Sequence, residues 1–474
     1  MKKINKLVPC DYDISIMGIT DDSRLVKKGY LFVATKGYNV DHYDYIETAI
    51  QNGCAFVVCD RDIPFDIPHL VVDDVNLSYI DLCQKYYGVT PDEFHFIGVT
   101  GTDGKTTTTT VVRELIQNCA YIGTNGVDVG DHSFDTHNTT PCVSELYQDL
   151  SIIKKNKCNT VSMEVSSEAL LHDRVHGFMF DVVGLTNITG DHLNIHKDFN
   201  HYIECKMKIL DHVKDNGYVV YNGDDEVLKK IDSKNSFSFG FSSENDYVIE
   251  SVDYQKRNTV IQLAFQEKAW TIESPFVGKY NVYNIVMAFI IGRLYGIDDC
   301  LLVQRIKKLS PIKGRCEFLD FGQKYDIVLD YAHTINGIRS ILDTFQNYEN
   351  IIVVTGSAGG REVQKRSVIG KLVLEKSDFA IFTMDDPRYE SVDDIIDQMV
   401  GDSKDYYRIV DREDAICFAL SIAYPGSVVL ILGKGRDNYM AIKDKKIHYN
   451  DYDVIYHYFH KEWFYHSFFS LTHP

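Results

Sequence analysis

Short apolar runs rich in β-branched residues recur along the chain, separated by stretches whose apolar positions fall at helical spacing. Tyr30–Ala34 and Ala55–Cys59 read as strands. Between them Tyr43 to Asn52 carries the helical repeat and stops at Gly53, a residue type that closes helices in the left-handed conformation. Phe96-Ile-Gly-Val-Thr100 predicts a strand entering a glycine-rich turn, with a helix from Lys105 to about Asn118. Thr160–Met163, Val182–Thr186, Gly217–Tyr221 and Thr259–Phe265 predict further strands. Pro311-Ile-Lys-Gly-Arg315 reads as a linker. Beyond it Asp326–Leu329, Ile351–Val354, Phe379–Thr383 and Val428–Leu432 alternate with helical segments, as in a parallel sheet with crossovers. The alternation along the whole chain predicts an α/β protein.

Length divides this pattern. At 474 residues the chain exceeds a single core, and the breaks suggest three domains, 1–92, 93–311 and 312–474. No run approaches the roughly 18–20 apolar residues needed to cross a bilayer, so no membrane insertion is expected. Pro9, Asp11 and Asp13 follow the basic start where a signal peptide would have its apolar core, which points to a cytoplasmic protein. It is expected to act as a monomer. Eleven cysteines contain no C-x-x-C pair and read as small buried hydrophobes. The net charge of −19 (49 basic, 68 acidic side chains) argues against a nucleic-acid partner, which needs a basic face. Any phosphorylated ligand must then be held by local donors against an unfavourable mean field.

The strongest chemistry lies at Gly98-Val-Thr-Gly-Thr-Asp-Gly-Lys-Thr106. A strand, a glycine turn and a helix opened by Gly104-Lys105-Thr106 suit a phosphate chain, because small residues let backbone N–H groups approach and the helix N-terminus adds positive charge. Lys105 can reach the β- and γ-phosphates, and the Thr106 hydroxyl can ligate Mg²⁺. Val99 stands where the strict G-x-x-x-x-G-K-[ST] pattern has its first glycine. The pattern predicts nucleotide binding and is silent on the reaction.

Further motifs follow in a fixed order. They are Asp22-Ser-Arg24, Leu31-Phe-Val-Ala-Thr-Lys-Gly37, Thr100-Gly-Thr-Asp-Gly-Lys-Thr-Thr107, Asn138-Thr-Thr-Pro141, Met163-Glu-Val-Ser-Ser167 and Leu185-Thr-Asn-Ile-Thr-Gly-Asp-His-Leu193. Gly278-Lys-Tyr-Asn-Val-Tyr-Asn284, Gly314-Arg315, Asp330-Tyr-Ala-His-Thr334, Asp385-Asp-Pro-Arg388 and Gly433-Lys-Gly435 complete the set. In order and spacing the chain resembles the Mur ligases of bacterial peptidoglycan synthesis, and within them the UDP-N-acetylmuramoyl-tripeptide synthetases. The resemblance implies an N-terminal α/β UDP-binding domain, a central P-loop ATPase-like domain with a mostly parallel sheet, and a C-terminal Rossmann-like domain. It implies transfer of the γ-phosphoryl of ATP to a substrate carboxylate and attack of an amine on the acyl phosphate. Two Mg²⁺ ions would screen the anions.

The resemblance also assigns roles. Gly101, Thr102, Gly104, Lys105, Thr106 and Thr107 would hold the nucleotide phosphates, Asn281 and Asn284 its adenine end, and Arg315 and Asp330 its phosphates from the third domain. Thr106, Glu164, His192 and Lys206 would hold metal, Lys206 as a CO₂-derived carbamate that bridges both ions. Partial desolvation of the amine would favour that modification; an ordinary helix-surface lysine is the alternative at Lys206. His333 joins Lys105, Glu164, His192 and Lys206 as catalytic. Lys365-Arg366 could sit near the phosphates in the same way, although such a basic pair is usually solvated. Ser23, Thr139, Thr140, Ser166 and Arg174 would bind the UDP-muramoyl-dipeptide. Asp385, Asp386, Arg388, Gly433 and Asp437 would bind the free amino acid.

That amino acid is read from Arg388, whose guanidinium can fork onto the second carboxylate of meso-diaminopimelate. Asp386 replaces the asparagine usual in this motif and puts a negative charge beside it. Arg436 and Asp437 replace the usual His and Glu, although Asp437 could still meet a distal ammonium. L-Lysine as the added residue, a folylpolyglutamate-type ligase and a non-ligating paralogue are the competing readings. The aromatic stretch His460–Pro474 is expected to pack on the third domain.

Overall fold

A computed structural model describes residues 1–37, 40–136, 138–190, 198–360 and 363–460. Four parallel strands, β1 (Gly18–Thr20), β2 (Tyr30–Val33), β3 (Phe56–Cys59) and β4 (His69–Val71), form the first sheet in sequence order. The helical segment predicted between β2 and β3 is a 3₁₀ turn over His42–Tyr45 that continues as α1 (Ile46–Gln51). Gly53 ends it at φ +93°. Helix α2 (Val75–Tyr87) follows, its first turn capped by Asp74, which accepts from the Leu77 N–H at 2.9 Å.

The central sheet has eleven strands. Its parallel middle is β5 (His95–Thr100), flanked by β9 (Thr160–Glu164) and β10 (Phe180–Leu185). Helix α3 (Lys105–Leu115) follows β5. On the β9 side lie β6 (Cys119–Gly123), β7 (Gly126–Asp128) and β8 (Ser133–Phe134), with α4 (Val143–Lys155) leading into β9 and α5 (Ser167–Leu171) leaving it. On the β10 side, after α6 (Phe199–Met207), come β11 (Val213–Asn222), β12 (Ser236–Gly240) and an antiparallel meander of β13 (Tyr247–Tyr254), β14 (Thr259–Phe265) and β15 (Lys268–Ser274). Helices α7 (Lys279–Leu294) and α8 (Asp299–Lys307) close the unit.

Alternation along β5 explains its position. Phe96 points into one apolar cluster while Ile97 and Val99 point into another, so both faces are covered. The first of these clusters also takes Leu31, Val33, Phe56 and Val58 from the first sheet, which ties the N-terminal unit to the centre. Helix α7 is apolar almost all round and buried from Ile285 to Gly292, as a helix with no polar face must be.

The third sheet runs β16 (Glu317–Leu319), β17 (Asp326–Asp330), β21 (Ser427–Leu432), β18 (Asn350–Thr355), β19 (Phe379–Phe382), β20 (Tyr407–Arg408). All pairs are parallel except β16–β17. Helices α9 (Ile335–Phe345), α10 (Gln364–Lys376), α11 (Val392–Val400) and α12 (Arg412–Ile422) form its crossovers. After the hairpin β22 (Tyr439–Ile442) and β23 (Lys445–His448), α13 (Asp451–His460) packs on α12. The predicted third-domain strands lie within a residue or so of those observed. The predicted helix from Lys105 stops at Leu115 because Ile116 turns extended (φ −104°, ψ 126°) and the chain enters β6. Residues 461–474 lie outside the described residues.

Asp451, at the start of α13, receives the Arg412 guanidinium through two bonds of 2.8 Å, and both side chains are fully buried. Removing one partner strands a charge in the interior. Asp451→Ala should therefore destabilise the third domain by about 3–5 kcal/mol, measured as a lowered urea midpoint of its unfolding transition.

Candidate active site

The turn from β5 to α3 has no room for side chains at two points. A Cβ on Gly101 (φ +150°) would lie 1.8 Å from Thr186 Oγ1, and one on Gly104 (φ +89°) would lie 2.4 Å from Asn284 Oδ1. The turn is fastened from outside: Asn187 accepts from the Thr102 and Asp103 N–H groups at 2.8 and 3.0 Å, and the Thr186 hydroxyl donates to the Asp103 carbonyl at 2.6 Å. Lys105 turns back over the loop, its Nζ donating to the carbonyls of Gly101 and Thr102 at 2.8 Å each. Thr106 and Thr107 are buried in the first turn of α3, whose N–H groups have no helical partner.

Glu164 ends β9 beside this helix, fully buried. Its carboxylate accepts from Thr106 Oγ1 (3.0 Å), Tyr121 OH (2.5 Å), the Thr124 N–H (2.9 Å) and Thr124 Oγ1 (3.2 Å). Sequence reading missed Tyr121 and Thr124. Tyr121 lies within β6 and Thr124 just past it, a strand hidden because the predicted helix runs to about Asn118. A buried carboxylate sharing one oxygen with a threonine hydroxyl is the hard-oxygen donor set that Mg²⁺ prefers, so Thr106 and Glu164 fit that ion. His192 lies outside the described residues.

Lys206 is not a surface lysine; it is buried to 1% exposure. Its Nζ donates to the Gly101 carbonyl at 2.7 Å and lies 4.7 Å from the centre of the Tyr202 ring. The Tyr202 hydroxyl meets Thr102 Oγ1 at 3.0 Å, so one face of α6 backs the loop. A carbamate nitrogen would keep one N–H, so the contact with the Gly101 carbonyl is compatible with that modification.

Between the second and third domains lies a cavity of about 960 Å³ lined by Gly104, Thr107, Asn284, Arg315, Asp330 and His333, among others. Asn281 stands behind it, buried, accepting from Asn284 Nδ2 at 3.1 Å. Arg315 lies over the Tyr331 ring (4.5 Å) and reaches Thr106 Oγ1 at 3.2 Å. Asp330 accepts from the N–H groups of Cys316 (2.6 Å) and Ala332 (2.7 Å). Burial pushes its carboxyl up, against the opposing pull of the Arg315 charge and those two bonds. His333 places Nδ1 2.8 Å from the Tyr331 carbonyl oxygen. Thr334 caps α9 by accepting from the Gly337 N–H, while its hydroxyl approaches both Asp103 carboxylate oxygens at 3.3 and 3.4 Å. The third domain thus touches the phosphate loop directly.

A small cavity of about 50 Å³ lies beside His333, bounded by Asp385, Asp386, Gly433, Asp437, Ser357 and Lys365 among others. Its organiser is Lys434, which sequence reading passed over although it sits inside the Gly433-Lys-Gly435 motif. Its Nζ is 1% exposed and lies 2.9 Å from Asp386, 3.7 Å from Asp437 and 4.0 Å from Asp385. The charge that Asp386 brings is therefore met by Lys434. Arg388, at φ +50°, makes no ion pair among the described residues. Burial pushes Asp437 up to about 6, against the pull of Lys434. Arg366, expected near the phosphates or else solvated, is wholly buried and holds Glu390, Gln398 and the Ala358 carbonyl.

On the other side of β9, Thr140 donates to the Glu164 carbonyl (2.8 Å) and accepts from the Ser166 N–H (2.9 Å). Arg174 donates to the Thr140 carbonyl at 3.1 Å, and Thr139 meets Thr124 at 3.2 Å between hydroxyls. The structure brings these four together. Ser23 is buried in a short turn of the first domain, and among the described residues no hydrogen bond links it to them.

A phosphate-holding loop facing a buried carboxylate, across a cleft closed by a Rossmann-like domain, is the site of a nucleotide-dependent ligase. Family models agree along the chain: Mur ligase family, catalytic domain, over residues 15–78; Mur ligase middle domain over 99–292; and Mur ligase, glutamate ligase domain, over 314–435. A protein of Bacillus cereus named UDP-N-acetylmuramoyl-L-alanyl-D-glutamate–2,6-diaminopimelate ligase is 32% identical over 95% of this chain and 97% of its own. A solved structure of a ligase of the same name matches with a TM-score of 0.65 and 26% identity, covering 97% of this chain and 99% of that one. Folylpolyglutamate synthase of Mycobacterium tuberculosis, complexed with ADP and AMPPCP, shares the fold alone, with a TM-score of 0.61 at 14% identity over 75% of this chain and 91% of that one. The chain belongs to the Mur ligase family and is an ATP-dependent, amide-bond-forming enzyme. No helix among the described residues is long and apolar enough to cross a membrane.

Proposed function

We propose that this enzyme adds meso-diaminopimelate to UDP-MurNAc-L-Ala-D-Glu. The observation that carries the choice of amino acid is the pairing of Asp386 with Lys434, which leaves the Arg388 guanidinium for a substrate carboxylate. The name shared by the similar ligases supports the same reading. In this reading the domain boundaries fall near 92 and 311, and UDP is held by the first domain through Ser23. Thr139, Thr140, Ser166 and Arg174, gathered at the end of β9, would bind the muramoyl-dipeptide.

The substrate carboxylate attacks the γ-phosphorus of ATP, and ADP leaves. The neutral amine of the amino acid then adds to the acyl phosphate and inorganic phosphate departs, with one proton lost from nitrogen. Lys105 and the first turn of α3 orient the β- and γ-phosphates. Thr106, Glu164, His192 and a carbamylated Lys206 would hold two Mg²⁺ ions, whose chemistry is to screen phosphoryl charge against the incoming carboxylate. Arg315 brings a cation from the third domain, and His333 lies between the nucleotide cleft and the amino-acid cavity. Asn281 and Asn284 shape the far end of the nucleotide cleft, and Asp330 fixes the turn that carries Arg315. Asp385, Gly433 and Asp437 surround the amino acid's distal end.

Phosphate release from ATP, with UDP-MurNAc-dipeptide and Mg²⁺ present, should depend on meso-diaminopimelate; release with L-lysine alone would overturn the choice of amino acid, and none with any amine would favour a binding-only protein. In that assay Arg388→Ala should raise KM for diaminopimelate about 10- to 100-fold, the loss of a charged hydrogen-bond pair of about 1.5–3 kcal/mol, with KM for ATP unchanged. Lys206→Ala should nearly abolish turnover, and added bicarbonate should not restore it; near-normal turnover removes the carbamate from the reaction.

Asp437 supplies a pH dependence. Its folded pKa of about 6 lies above the ordinary 3.8, so its carboxylate is present above about pH 6 and lost below. KM for diaminopimelate should rise as the pH falls through 6, and Asp437→Asn should raise KM and flatten this limb. Because the protonated form is the one the fold favours, the same group stabilises the protein as pH falls from about 6 towards 4.

A further inference from the structure

Arg436 is the residue in Gly433-Lys-Gly-Arg-Asp437 that departs furthest from the diaminopimelate-type pattern, and the reaction proposed above gives it no role. It does not line the small amino-acid cavity. Its guanidinium turns instead to the start of β16, just past the linker, where Nε and Nη2 fork onto Glu317 Oε2 and Oε1 at 2.8 and 2.6 Å. The pair is mostly withdrawn from solvent, with side-chain exposures of 23% and 11%. Tyr452 of α13 backs the guanidinium, with ring centre and Cζ 3.6 Å apart.

Glu317 passes the contact on. Its Oε2 also accepts from the Gly314 N–H at 2.7 Å, and the Gly314 carbonyl accepts from the Tyr331 N–H at 3.0 Å. Gly314 has φ +68°, and a Cβ there would lie 2.8 Å from the Arg436 nitrogen and 3.2 Å from Gly435. Linker and loop are thus in backbone contact, with no side chain between them. The next residue is Arg315, stacked on Tyr331 and touching Thr106 across the cleft. Next to Arg436 in the chain, Asp437 lines the amino-acid cavity and lies 3.7 Å from Lys434.

We propose that Arg436 is a positioning residue: through Glu317 it fixes Gly314 and Arg315, so that the loop holding the amino acid and the arginine meeting the nucleotide phosphates move as one body. The physical basis is the fork. Two parallel N–H···O bonds, unlike a single ammonium contact, set both distance and angle between the loop and Glu317, whose Oε2 in turn holds the linker at Gly314. Ordering of the loop by one ligand then lowers the cost of ordering Arg315 for the other, and the coupling is reciprocal. The amino-acid half of this inference rests on the reaction proposed above; the nucleotide half does not.

The test compares wild type with Arg436→Lys, Arg436→Ala, Arg315→Ala and the Arg436→Ala/Arg315→Ala double variant. ADP affinity is measured by calorimetry, and KM for ATP and for diaminopimelate by phosphate release. Arg436→Lys keeps the cation and loses the fork. It is expected to weaken ADP binding about three- to tenfold and to raise both KM values together, at an unchanged melting temperature. In the ADP cycle the double variant should bind no more weakly than Arg315→Ala alone, because Arg436 acts through Arg315. Additive losses would overturn the inference. So would a rise in KM for diaminopimelate alone, which makes Arg436 a direct ligand, or unchanged ADP affinity in Arg436→Lys. If Arg436→Ala does not fold, a cycle of Arg436→Lys with Arg315→Ala decides in its place. If wild type releases no phosphate with any amino acid, the proposed reaction falls while the ADP cycle still decides the role of Arg436.

Discussion

Helix α7 and the end of β10 press on the phosphate loop so closely that residues 101 and 104 have no space for a methyl group. Most of the site is arranged around that contact. Asn284 can stand at the cleft only because Gly104 lets α7 approach, and Thr186 and Asn187 can fasten the loop only because Gly101 lets the strand end come near. Lys206 and Tyr202 secure the same loop from α6. A loop held on three sides keeps the N-terminus of α3 aimed at one place, where fixed dipoles act without reorganising.

The acidic chain solves its charge problem locally. Its net charge of −19 coexists with cations placed one by one against oxygen acceptors: Lys105 and Lys206 at the loop, Arg315 at the Thr106 hydroxyl, Lys434 among three aspartates. Lys206 and Lys434 are withdrawn from water and Lys105 and Arg315 half so, which lets them act at short range with less screening, whereas the acidic surface is averaged by salt. The same arrangement turns Asp386 from an apparent obstacle beside Arg388 into the partner of Lys434.

Much of this was legible in the chain itself. The parallel strands of the third domain, the strand before the loop and the loop's own chemistry follow from apolar runs bounded by glycine and from Gly104-Lys105-Thr106. Of the meander only Thr259–Phe265 was legible; its neighbours β13 and β15 were not, because strands such as Tyr247–Tyr254 carry charged residues on an exposed face and show no apolar run. Strand β6 was masked by the helical spacing before it, and with it went Tyr121 and Thr124. The burial of Arg366 left no mark, since nothing in the local pattern announces that a charged side chain will be buried by elements distant in sequence.

Sequence alone determined the layered α/β architecture, the phosphate loop and the motif order that marks a Mur ligase, because these depend on residue type and near-neighbour spacing. Tertiary structure decided which charges meet. Glu164 with Thr124, Asp386 with Lys434 and Arg436 with Glu317 are separated by 40, 48 and 119 residues. Their pairing depends on how crossovers bring strand ends together, and electrostatic partnership at 3 Å leaves no periodic trace in a sequence.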